Sequence, residues 1–140
     1  MLRVYGLWVH KGRVLLSKER FAGRDMVKFP GGGLEFGEGL IDGLCREWRE
    51  ETGLSPVQPQ HLYTTDFFQE SAFHPGVQLI SVYYLFEQVQ EPAQAFLESG
   101  EMKGRDKELF FWKDISALQS GMLTFPIDQK VALLLKEKMA

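Results

Sequence analysis

The run Val77-Gln78-Leu79-Ile80-Ser81-Val82-Tyr83-Tyr84-Leu85-Phe86 carries apolar side chains at successive as well as alternate positions. Side chains alternate between the two faces of a strand, so a strand built from this run is apolar on both and must be covered on each side. Residues 77 to 87 are therefore expected to be a central strand. Residues 60 to 68, rich in the same β-formers, precede it across a turn-prone Phe73-His74-Pro75-Gly76, which predicts two long antiparallel strands. A chain of 140 residues, 44% apolar and 25% charged, is long enough to bury one substantial core and too short for two. One domain spanning residues 1–140 is expected.

The remaining segments fit around that strand. Apolar runs at residues 2 to 9 and 13 to 16 flank His10-Lys11-Gly12 and predict a β-hairpin. Residues 17 to 28 are polar and basic, a loop or a further short strand. In Phe29-Pro30-Gly31-Gly32-Gly33 a proline without a backbone donor meets three permissive glycines, which predicts a loop. From Gly39 to Thr52 the pattern turns helical, and Gly53 followed by Pro56 ends it. Residues 90 to 107, with Pro92, Gly100 and Gly104, read as a long loop, followed by a strand at 108–113. Thr124-Phe125-Pro126 opens a terminal amphipathic helix with Ile127, Val131, Leu134 and Leu135 on one face.

A net charge of -3 leaves no basic footprint for a phosphate backbone, so long nucleic acids are not the expected partner. The single cysteine, Cys45, cannot form an internal disulfide and reads as an inert buried thiol. The apolar stretch at the amino terminus is too short and too interrupted for a signal peptide or a membrane span. A cytoplasmic protein without a membrane partner is expected.

One constellation stands apart from this scaffold. On a helix, Glu47, Glu50 and Glu51 fall at i, i+3 and i+4, three carboxylates on one face within a single turn. Like charges at that spacing repel, and a bound divalent cation turns the repulsion into attraction. The neighbouring stripe of Leu40, Ile41, Leu44, Cys45 and Trp48 is apolar, which sets the glutamates at the edge of a buried face. Oxygen ligands without a Cys/His cluster select Mg²⁺, or Mn²⁺, over zinc. Upstream, Gly31, Gly32 and Gly33 let backbone approach a phosphate, and a carbonyl there can join the metal ligands. Together the parts describe metal-assisted attack of water on a diphosphate.

Gly32-x5-Glu38-x7-Arg46-Glu47-Trp48-x-Glu50-Glu51-x-Gly53-Leu54 resembles the complete Nudix box of the Nudix hydrolase family. Seven fixed positions at background frequencies would coincide on the order of once in several million such chains, so the resemblance is specific although the box is short. It implies an α/β fold: an α/β/α sandwich with a mixed, largely antiparallel sheet between helices. It also implies that Glu47, Glu50 and Glu51, with the carbonyl of Gly31, bind or organise Mg²⁺. Arg46 would orient the glutamates, with Glu38 and Glu35 pairing to the helix. In similar proteins a base or further ligand is an acidic residue in a later loop; Glu98, Glu101, Asp106 and Glu108 are the candidates, with Glu108 favoured because it precedes the Phe110-Phe111-Trp112 strand.

Gly32 and Gly33, together with Arg20, Arg24 and Lys28 of a basic cluster that includes Lys18, are the candidate substrate-binding residues. An ordinary solvated loop explains the cluster equally well. Phe67, Phe68, Phe73 and Tyr83 are candidates to stack on a nucleobase, although aromatic residues in strands ordinarily belong to a core, as Trp48 is expected to. His10, His61 and His74 are expected to have no catalytic role. The expected activity is hydrolysis of a nucleoside diphosphate derivative or nucleoside triphosphate by a catalytic set of Glu47, Glu50, Arg46 and Glu108, in a chain whose relatives are often homodimers. A non-catalytic nucleotide sensor on the same fold and an isoprenyl diphosphate isomerase are the competing readings. A sensor needs no complete set of helix carboxylates, and an isomerase needs a protonating group that Cys45, on the helix, does not supply.

Overall fold

The computed structural model describes residues 1–90, 93–104 and 108–140, with Phe21 in its backbone only. In chain order the elements are β1 (Leu2–His10), β2 (Arg13–Phe21), β3 (Arg24–Lys28), β4 (Gly31–Gly33), α1 (Leu40–Thr52), β5 (Pro56–Val57), β6 (Gln60–Thr64) and β7 (Ile80–Phe86). They continue with β8 (Gln88–Val89), α2 (Gln94–Glu98), β9 (Glu101–Lys103), β10 (Leu109–Asp114) and α3 (Pro126–Lys138). No described helix is long and apolar enough to cross a membrane.

β7 pairs in parallel with β1 along its length, from Leu2–Ile80 to Trp8–Phe86, and antiparallel with β6 on its other edge. It is thus an interior strand, and Ser81 through Tyr84 together with Phe86 are buried, as a run apolar on both faces requires. Alternating residues feed two separate cores. Leu7, Val9, Leu16 and Tyr83 pack with Ile127, Val131 and Leu135 of α3 on one face. Val4, Trp8, Leu15, Val82 and Tyr84 pack with Leu44 and Trp48 of α1 on the other. A mixed sheet between helices results.

The site is positioned by a divergence inside this sheet. β1 and β2 pair only beside their turn, Val9 with Val14 and His10 with Arg13. Beyond it they separate, β4 pairing with β1 at Arg3, Val4 and Tyr5, and β3 pairing with β2 from Ser17 to Phe21. On its other side β2 pairs with β10, and β10 with β9. The short link Phe29-Pro30 crosses the gap. Gly6 N–H and Trp48 Nε1–H both donate to the Pro30 carbonyl, at 2.9 and 3.2 Å, and fix the crossing against the α1 face.

Several expectations change in this frame. Residues 17–28 form the β2–β3 hairpin, the strand and not the loop of the two alternatives, because β3 finds a partner edge that the sequence pattern does not reveal. Gly31–Gly33 is a strand, since β1 supplies its hydrogen bonds, and at Gly31 the β1 backbone lies too close for a side chain. β6 ends at Thr64, not 68, and β7 begins at Ile80: Thr65 N–H and Oγ both donate to the Ser81 carbonyl, after which the chain leaves the sheet save for one bridge between Glu70 and Gln78. The expected long loop at 90–107 contains α2 and β9; Pro92 and Asp106 lie outside the described residues. On α1, Leu44 and Trp48 are buried, but Ile41 is exposed and Cys45 only half-buried, its Sγ 3.8 Å from the Pro56 carbonyl. The apolar stripe is therefore narrower than its sequence. Leu134 is likewise half-buried beside Val131 and Leu135.

Candidate diphosphate site at the gap in the sheet

α1 starts after Gly39 and stops where Gly53, at φ 79°, takes the left-handed cap and donates its N–H to Arg49 O. Within it Arg46 is a hub. Its Nε and Nη2 donate to the two oxygens of Glu38 at 2.6 and 3.0 Å, and Nη2 also reaches the Gly33 carbonyl at 2.9 Å. Nη1 meets Glu47 at 3.1 Å, Glu50 at 3.3 Å and Glu35 at 3.5 Å. One guanidinium thus ties the segment before α1, the end of β4 and the glutamate face together. The bidentate pair holds the Glu38 carboxyl below the usual carboxylate range and raises the Arg46 pKa.

A cavity of about 270 Å³ opens where β1 and β2 separate. Gly31, Gly32 and Gly33 of β4 form its floor; Glu47 and Glu51 from α1, Glu108 from just before β10, and Arg3, Glu19 and Lys28 from β1, β2 and β3 complete its lining. The glycines are required by proximity. A methyl on Gly32 would stand 2.5 Å from the Glu47 carboxylate, and one on Gly31 would stand 2.1 Å from the Val4 carbonyl. Glu108 is buried, 7% exposed, although it is an acid at a strand entrance. A second, mainly apolar cavity of about 170 Å³ adjoins the first and shares Arg3, Glu19 and Lys28 with it. Tyr5, Met26, Phe73, Leu79, Tyr83 and Phe125 are among its linings, with Asp128 at the start of α3. Asp128 is 3% exposed and accepts a hydrogen bond from Tyr83 Oη. Burial pushes its carboxyl up to about 6 against the opposing pull of that hydrogen bond and of Lys28 and Arg3.

A NUDIX-domain family model matches residues 3–130. The chain belongs to the NUDIX family. Part of this NUDIX domain is 43% identical over 56 residues to the RNA pyrophosphohydrolase of Psychrobacter sp. (strain PRwf-1), a stretch covering 40% of the chain and 31% of that relative. The chain thus aligns with about a third of the curated relative's length. Among solved structures it resembles the MutT NUDIX hydrolase from Burkholderia pseudomallei, with a TM-score of 0.72 at 18% identity over 96% of each chain. The E. coli ORF135 protein follows the same fold, with a TM-score of 0.73 at 17% identity over 99% of this chain and 90% of that one.

The NUDIX domain brings the box residues and Glu108 to one place but divides their tasks. Glu47 and Glu51, one turn apart, face the cavity; Glu50, to the far side of Glu47 on the projection, does not line it and pairs with Arg46. Glu98 and Glu101 are exposed, and neither lines the cavity. Of the cations expected to bind substrate, only Lys28 reaches the site. Arg20 is exposed and engaged with Asp25 and the Gly23 carbonyl, on the opposite face of β2 from Glu19; Arg24 is in step with Met26 and Lys28 on β3 but sits exposed at the hairpin tip, beyond the cavity. Phe73 and Tyr83 line the apolar cavity; Phe67 and Phe68 do not. Sequence reasoning missed Arg3, Tyr5, Glu19 and Asp128. Two of these left a trace: Asp128 interrupts the buried helical stripe that includes Ala132 and Leu135, and Arg3 heads the inward series Arg3, Tyr5, Leu7, Val9.

The donors around the first cavity are carboxylates and glycine backbone, the chemistry of a hard divalent cation. No three acidic, His or Cys side chains among the described residues converge into a closed cage. They line a wall instead, which suits an ion that keeps several of its waters.

Proposed function

We propose that this chain is a Mg²⁺-dependent pyrophosphohydrolase, with Mn²⁺ as substitute, that adds water across the diphosphate linkage of a nucleoside diphosphate derivative or a nucleoside triphosphate. The observation that carries this reading is the junction of the two cavities: an acidic, glycine-floored chamber fit for a cation and phosphates opens beside an aromatic chamber of a size and polarity for a base and sugar. A bound Mg²⁺ supplies charge neutralisation of the diphosphate and acidifies water.

The chain's own groups divide the remaining work. Glu47 and Glu51 hold the cation, with Glu50 at the rim and the Gly31 carbonyl as a further donor. Arg46 positions Glu47 and Glu50 through its fixed fork, and Gly32 and Gly33 allow the phosphates to approach the backbone. Glu108, buried in the wall, takes the proton of the attacking water as its oxygen bonds to phosphorus. The bond from phosphorus to the bridging oxygen breaks, and the electron pair leaves on the departing phosphate, whose charge Lys28 offsets.

In this reading the protein is a cytoplasmic homodimer whose substrates are small nucleotides. The name of the Psychrobacter relative, an RNA pyrophosphohydrolase, adds RNA to the candidates. The test is a panel of nucleoside diphosphate sugars, ADP-ribose, dinucleotides, canonical and oxidised triphosphates and a 5′-triphosphorylated oligonucleotide, assayed for released phosphate with and without Mg²⁺. Turnover of one class, lost on chelation and in Glu51→Gln, is expected. Turnover of none, or turnover indifferent to metal, refutes the reading.

A further inference from the structure

The wall between the two cavities holds two cations with unequal partners. Lys28 has an anion, Glu19, 3.5 Å away. Arg3 has none: its guanidinium makes one hydrogen bond, from Nε to the Tyr5 hydroxyl at 2.5 Å, and forms no ion pair among the described residues. The guanidinium carbon lies 5.6 Å from the Tyr5 ring centroid, and that ring in turn stacks on Tyr83 at 5.1 Å inside the aromatic cavity. The Nη1 end points the other way, standing 3.9 Å from where a Cβ on Gly33 would be, over the glycine floor. Arg3 therefore has its Nε edge tied on the aromatic side and its Nη edge open toward the phosphate side. The Glu47 carboxylate of the same cavity draws on the guanidinium from beyond ion-pair distance, a neutral phenol is the group it bonds, and its planar fork fits the oxygens of a phosphate.

We propose that Arg3 clamps the phosphate that bridges the two chambers, the one esterified to the nucleoside, and that the Tyr5 hydroxyl aims it there. This rests on the pyrophosphohydrolase reading for the identity of the ligand, and assigns a specificity-determining role to a residue outside the Nudix box. The chain then recognises a phosphate through its attachment to the group in the aromatic chamber, and selects nucleotides over inorganic polyphosphates.

The test is calorimetric titration of adenosine, guanosine and their 5′-monophosphates into the wild-type protein and into Arg3→Met, Arg3→Lys and Tyr5→Phe, each checked for an unchanged melt. Wild type is expected to prefer a monophosphate over its nucleoside. Arg3→Met should cut that preference about 10- to 100-fold, the range of a charge-assisted hydrogen bond, while leaving nucleoside affinity unchanged. Arg3→Lys should recover part of it, and Tyr5→Phe should fall between. A preference that survives Arg3→Met, a nucleoside affinity that falls in parallel, or a wild-type protein that binds none of the four overturns the clamp. Hydrolysis assayed on the same samples separates the two proposals. An Arg3-dependent preference without metal-dependent turnover removes the hydrolase and keeps the clamp, whereas turnover with an unchanged KM in Arg3→Met does the reverse.

Discussion

Arg46 shows how one side chain can decide whether a cluster of carboxylates is a site or a liability. Four glutamates and a backbone carbonyl converge on it, so the acidic face of α1 is set before any cation binds. Lysine keeps the charge but cannot make the forked contact with Glu38 while reaching Gly33 and Glu47. Arg46→Lys is expected to lower kcat about 10- to 100-fold, as loss of a residue that orients metal ligands ordinarily does, in steady-state assays at saturating Mg²⁺. Asp128 gives a second residue-scale prediction. Its folded-state pKa is raised from 3.8 to about 6, so the native state holds its proton more tightly than the unfolded chain. Stability from this group is present below pH 3.8 and is lost as pH rises through about 6. Urea denaturation of wild type and Asp128→Asn from pH 4 to 8 should show the variant gaining relative to wild type up to about pH 6 to 7, then no further change.

At the scale of elements, α1 and β4 make the site by lying closer together than side chains permit. Gly32, which faces this contact, and Gly31, which faces β1, should fail in different ways. The neighbour of a Gly32 Cβ is the flexible end of Glu47, so Gly32→Ala should displace that carboxylate and weaken metal binding while the melting temperature changes little. The neighbour of a Gly31 Cβ is the rigid β1 backbone, so Gly31→Ala should cost about 1–3 kcal/mol of stability, read from the denaturation midpoint. The helix was legible in the sequence because its period, its cap and its glutamate spacing all lie within Gly39 to Gly53. The strand character of Gly31–Gly33 was not, because its hydrogen bonds come from β1, some 28 residues earlier. Arg20 and Arg24 fall outside the cavity for reasons the chain does not show locally: Arg20 alternates away from Glu19 on β2, and Arg24, in step with Lys28, stands at the hairpin tip rather than at the cavity end of β3.

Over the whole molecule, the decisive feature is the separation of β1 from β2, which leaves room for two adjoining chambers between the cores of α1 and α3. The doubly apolar run at 77–86 foretold a sheet covered on both faces; of the acids expected at the site, Glu47 and Glu51 of the box and Glu108 beyond it line one chamber, and Glu50 does not. The aromatic chamber was only half legible: Phe73 and Tyr83 were candidates to stack on a base, but Tyr5, Phe125 and Asp128 join them from β1 and the start of α3 only through the fold. The account stands on a divalent ion being held by the α1 carboxylates at the glycine floor. Manganese uptake followed by electron paramagnetic resonance, with and without a methylene-bridged nucleoside diphosphate, tests this most directly on wild type, Glu47→Gln and Glu51→Gln. Wild type should take up the ion, more tightly with the nucleotide present, and each variant should bind at least tenfold more weakly. Equal uptake by all three proteins, or none by the wild type, would contradict the account.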